Sequence, residues 1–155
     1  MSLDNQNLLP YVVSAYVYQG VLIIHFALRK WRFEVVLRHG WNVYAMGIPA
    51  AAVSIILLLR GVTWSMWLPG FLWLIWGAYG YWIEYIRGIQ WRNPPLWRVL
   101  GPYLLLYLAI SMFFWWPLWS IDKRLWYVQT GLYIISTGLN LASHRPRTSD
   151  QERAT

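Results

Sequence analysis

The chain has 155 residues, 58% of them hydrophobic, 19% aromatic and 12% charged, about half the ~25% charged share of a soluble domain. One domain fits this length, and so few polar groups cannot cover a water-soluble globule. Its +7 formal charge sits in gaps between apolar windows, so it forms no nucleic-acid surface, and the absence of cysteine removes disulfides, thiolate metal sites and cysteine nucleophiles.

Five windows free of Asp, Glu, Lys and Arg cover 5–28, 40–59, 61–83, 99–121 and 125–144. Each holds at least 20 residues, enough to cross a ~30 Å hydrocarbon core at about 1.5 Å of helical rise per residue. The expected fold is an all-α integral membrane protein, a bundle of five transmembrane helices within residues 1–143.

The N-terminal MSLDNQN lacks the basic start of a signal peptide, and the apolar run after it is too long for one, so this segment is expected to be retained. Helix one is predicted over about 8–28. Arg29, Lys30, Arg32 and Arg38 follow it, interleaved with Trp31, Phe33 and Val35–Leu37, which suits a segment in the headgroup region. Helix two, about 42–59, carries Gly47 and Pro49 as an expected kink. Only Arg60 and Gly61 separate it from helix three, about 62–86, predicting a tight antiparallel hairpin. On helix three, Gly70, Trp73, Gly77, Gly80, Glu84 and Arg87 fall on one stripe. Gly70, Gly77 and Gly80 on such a stripe admit close approach of another helix. Pro94-Pro95 breaks the chain before helix four, about 99–116. Helix five is predicted over about 125–143, and the polar tail 144–155 is expected to be disordered.

Ten Lys and Arg fall on the side of the first link, the third link and the tail, against three on the other side. The positive-inside rule then puts the N-terminus outside and the C-terminus in the cytoplasm, in a cytoplasmic (plasma) membrane. Eleven of the thirteen tryptophans fall near window ends, as in two interfacial belts; Trp73 and Trp76 lie near mid-window.

Polar stripes mark the faces that turn away from lipid. Helix one offers Tyr11, Ser14, Tyr18, His25 and Arg29; helix four offers Tyr103, Tyr107 and Ser111; helix five offers Gln129, Tyr133, Ser136, Thr137, Asn140 and His144. Such groups make ordinary interhelical hydrogen bonds or line a cavity for a ligand. His25 is the one histidine well inside a window, so a bis-histidine haem within the chain is excluded, and a single five-coordinate tetrapyrrole is the metal option left. Glu84 is the one carboxylate bordering an apolar span; Arg87, three residues on, can pair with it, and proton-coupled transport is the alternative role. No catalytic or phosphate-binding motif is present.

Trp91-Arg92-Asn93-Pro94-Pro95-Leu96-Trp97, followed by Leu106-Tyr107 and then Leu139-Asn140, resembles the Trp, Pro-Pro, Trp loop, the Leu-Tyr pair and the Leu-Asn pair of the TspO/MBR family of tryptophan-rich sensory proteins. In that family the loop follows the first helix; here it follows the third and has an extra residue. The resemblance implies five helices and an aromatic pocket for porphyrins or sterol-like lipids, with Trp91, Trp97 and Asn140 carried over.

The expected function is a non-catalytic accessory or packing subunit of a membrane complex or homo-oligomer, with membrane lipids and other membrane chains as partners. The alternatives are a binder of a lipophilic ligand, with a tetrapyrrole as one candidate cofactor, and a small proton-coupled transporter. Ligand contacts are expected from His25, Trp73, Trp76, Glu84, Trp91, Trp97, Tyr107, Gln129, Tyr133 and Asn140.

Overall fold

The computed structural model describes residues 3–89 and 96–143, with no strand among them. α1 (Leu3–Trp31) is followed by α2 (Phe33–His39), α3 (Trp41–Ala45), α4 (Gly47–Leu59) and α5 (Trp64–Tyr81). α5 runs on into a π-helical turn, Trp82–Ile86; then come α6 (Trp97–Trp115), the short α7 (Leu118–Ile121) and α8 (Lys123–Ser143). The proline pair of the third link and the tail 144–155 lie outside the described residues.

Among the described residues, three stretches are long and apolar enough to cross a membrane: Leu8–Trp31, Trp41–Leu59 and Trp97–Ile121. This fits a tryptophan-rich membrane protein. The other two long helices fall short in composition rather than length, with 18 residues in α5 and 21 in α8. Indole and phenol groups fill α5, while Gln129, Thr130, Ser136, Thr137 and Asn140 interrupt α8.

Turn chemistry sets the element ends. The bend expected at Gly47 and Pro49 is a break just before them, at Met46, between α3 and α4. Pro49 is thereby the third residue of α4, where its missing N–H forfeits no intrahelical bond. α4 ends at Gly61, whose φ of 67° is left-handed. The Gly61 N–H bonds the Leu58 carbonyl at 3.0 Å and the Val62 N–H bonds that of Leu57 at 3.1 Å. This paired pattern satisfies two orphan carbonyls and reverses the chain into α5.

The long helices pack in chain order from α1 through α4 and α5 to α6, and α8 packs back on α1. The most extensive contacts are α4 on α5, α1 on α8 and α5 on α6; α6 and α8 touch little, and α7 makes most of the link to α8. Tyr11, Tyr18, Leu22, Trp73, Ile110 and Phe114 fill the centre. The Tyr18 ring meets Trp73 edge-on, centroids 4.9 Å apart, and Phe114 at 5.2 Å.

The glycine stripe of α5 is buried against the chain's own α3 and α4. A Cβ on Gly77 would come 2.5 Å from the Tyr44 carbonyl oxygen, and one on Gly80 would come 2.5 Å from the Tyr44 ring. Gly70 sits against the Ala50 backbone and the Ser54 hydroxyl. Gly47 returns the contact: its Cβ would lie 2.7 Å from the Leu74 Cα. No side chain larger than hydrogen fits between these backbones.

Candidate functional site

The polar centre of the bundle is built by α1, α6 and α8. Tyr11, Ala15, Tyr18, Gln19, Leu22 and Phe26 are the buried face of α1, recurring at helical spacing. Gln19 donates from Nε2 to the Leu132 carbonyl at 3.3 Å and to the Ser136 hydroxyl. Gln129 donates back to the Ala15 carbonyl at 3.2 Å. Two glutamines thus lace the first and last of these helices together from opposite sides. On the α6 side, the Tyr18 hydroxyl lies 3.2 Å from that of Ser111, which in turn donates to the Tyr107 carbonyl at 2.9 Å.

In and beside this centre, three buried polar atoms have no hydrogen-bond partner among the described residues: Trp73 Nε1 and Trp76 Nε1 on α5, and Gln129 Oε1 on α8. Their residues are 2%, 3% and 1% exposed. Leaving such a group unpaired costs about 1–3 kcal/mol, so the positions call for a partner from outside the described residues. The indole nitrogens can only donate and the glutamine oxygen can only accept. The Gln129 amide is oriented by its bond to Ala15, because a flip would set two oxygens face to face. The Tyr107 hydroxyl is hydrogen-bonded by the Ser136 and Ser111 side chains, with Tyr133 and Tyr103 beside it. Every group here is neutral, so the centre is suited to an uncharged molecule or to water, not to an ion.

Other residues singled out in the sequence occupy different places. Trp76 packs its ring on Tyr44 at 5.4 Å and on Tyr103 at 5.0 Å, linking the centre to the Glu84 end. There the Tyr44 hydroxyl donates to Glu84 Oε2 at 2.7 Å, while the Arg87 guanidinium lies over the Trp82 ring at 4.9 Å. His25 is half-buried, edge-on to Phe26 at 5.6 Å. Tyr133 and Asn140 are half-buried on the inward side of α8. Trp97 is 69% exposed at the start of α6, away from the centre, and Trp91 lies outside the described residues. Among the described residues no group of three His, Asp or Glu is placed to hold a metal ion.

Gln19 and Tyr44 were not expected from the sequence. Gln19 follows Tyr18 and lies four residues from Ala15, so the spacing that marked Tyr11 and Tyr18 could have included it. Tyr44 gave no such signal, since its role comes from the notch at Gly80 on a different helix. No family model, curated protein or solved structure matches the chain.

Proposed function

We propose that the protein is a non-catalytic membrane protein whose bundle interior binds a small lipophilic molecule. The supporting observation is that the Trp73 and Trp76 indole N–H groups and the Gln129 side-chain oxygen are buried without a hydrogen-bond partner among the described residues. In hydrocarbon an unpaired donor has no water to turn to, so a bound guest is the natural partner. In this reading all five long helices span the cytoplasmic membrane, with the N-terminus outside and the basic links within. The polar composition of α8 does not oppose a span, because Gln129 and Ser136 are its buried residues and face α1.

The accessory-subunit reading loses its main motive, since Gly70, Gly77 and Gly80 already meet helices of the same chain. A TspO-like pocket would use the interior rather than Trp97. Proton transport through Glu84 draws on a carboxylate bonded to Tyr44 at the end of α5, not at the centre.

The test is isolation in mild detergent, followed by solvent extraction and mass spectrometry. A lipophile near one per chain is expected, reduced in Trp73→Phe with the fold intact by circular dichroism. An extract containing only bulk phospholipid, with the variant as stable as the parent, would refute the reading. A second polypeptide retained in place of a lipophile would return the accessory subunit to first position.

A further inference from the structure

A cationic elbow links the first two candidate spans, Leu8–Trp31 and Trp41–Leu59. The helix breaks at Arg32, whose φ of −139° and ψ of 58° are not helical, and α2 then packs on the end of α1 and on little else. Arg29, Lys30, Arg32 and Arg38 stand here against the single carboxylate of Glu34. Lys30, Arg32 and Arg38 are exposed and Arg29 is half-buried. Trp31, Phe33 and Val35 are exposed among them, and the Lys30 ammonium lies 5.1 Å over the Trp31 ring. Cationic and apolar side chains thus share one short surface, as in a segment seated at headgroup depth.

The outward side of α1 leads straight to this elbow. Val17, Ile24 and Trp31 recur every seven residues and are all exposed, so they share one side of the helix and make an apolar strip about 20 Å long. The other described links lack this combination. The turn after α4 carries Arg60 alone. Between α7 and α8 the charges are partly offset: the Lys123 ammonium lies 5.1 Å over the Trp119 ring, and the Asp122 carboxylate accepts the Arg124 backbone N–H at 2.7 Å.

We infer that the elbow is a docking site for an anionic phospholipid, its headgroup phosphate held by Lys30, Arg32 and Arg38 and one acyl chain lying along Val17, Ile24 and Trp31. This rests on the membrane topology proposed above and not on the interior site. Basic clusters beside a membrane helix attract anionic lipids, and here the strip that an acyl chain needs ends at the cations. A zwitterionic lipid brings its own cation to the same place and gains little. Soluble phosphate or an acidic polypeptide meets the charges but has no use for a strip that faces hydrocarbon.

The full chain, delipidated in mild detergent, is titrated with phosphatidylglycerol or with phosphatidylcholine of the same acyl chains, and bound lipid is counted by native mass spectrometry. Phosphatidylglycerol is expected to bind more tightly, by a margin that shrinks as salt rises. Arg32→Gln/Arg38→Gln should weaken its binding about 25-fold, or about fivefold for each charge removed, with phosphatidylcholine binding and the circular dichroism unchanged. Lys123→Gln/Arg124→Gln takes equal charge from another link and should alter neither lipid.

Equal affinity for the two lipids, or a preference that survives Arg32→Gln/Arg38→Gln, would overturn the inference. An equal loss in Lys123→Gln/Arg124→Gln would make the effect one of net charge and overturn the site. A second polypeptide that co-purifies with the parent and is lost from Arg32→Gln/Arg38→Gln would give this surface to a protein instead. Trp73→Phe is expected to bind phosphatidylglycerol as the parent does, so failure of the interior site and failure of the elbow are read separately.

Discussion

The two halves of this bundle are held by opposite means. On the α3–α5 side close approach dominates: Gly47 and Gly70 bring the α4 and α5 backbones together, and Gly77 and Gly80 admit the Tyr44 backbone and ring of α3. On the α1–α8 side the helices are joined by Gln19 and Gln129, and specific hydrogen bonds replace close approach. The lesson is that close backbone contact needs no polar groups, whereas the polar seam carries specific pairs, Gln19 and Gln129, and leaves the Gln129 oxygen over. The two unpaired indoles, Trp73 and Trp76, stand on α5 between these regions.

This contrast is open to attack by substitution, read as unfolding free energy in detergent titration. The largest effect is expected at Gly77→Leu, which must displace the Tyr44 backbone. Forced overpacking of this kind costs about 3 kcal/mol, and a near-normal midpoint would show that the α3–α5 contact is looser than described. Gln19→Leu comes next, at about 1–2 kcal/mol for an interhelical hydrogen bond; no loss would mean that apolar packing alone holds α1 on α8. Tyr44→Phe removes the bond to Glu84 and should cost about 1 kcal/mol, with Glu84→Gln equal within error if the bond survives neutralisation. Gly138→Ala tests the reverse. A Cβ there meets nothing within 4 Å, so better helix propensity should give a gain of about 0.5–1 kcal/mol.

Much of the architecture could be read before the structure was seen. Long apolar windows are set by composition alone, and the helical period on α5 put Gly70, Gly77 and Gly80 on one face. That face pointed to close packing but not to its partner, because the identity of the neighbour depends on tertiary arrangement. The break at Met46 escaped notice for a different reason: Pro49 attracts attention, yet proline is harmless in the first turn of a helix, and the discontinuity falls before it. The π turn at Trp82–Ile86 had no composition cue. At the site, Tyr107 and Gln129 were visible as polar residues in apolar windows. The unpartnered Gln129 oxygen was not, since pairing is a property of several helices at once. Trp97 was chosen by motif, and its exposure shows how little a short motif says about direction.

Gln19 and Ser136 meet across 117 residues of sequence, and this spacing bears on biogenesis. While the ribosome is still producing the middle of the polypeptide, α1 must wait with its amide side chain unanswered by Ser136. The α4–α5 hairpin, closed locally at Gly61, can settle during translation. Truncation before α8 should therefore shorten cellular half-life far more than the loss of a single peripheral helix would suggest.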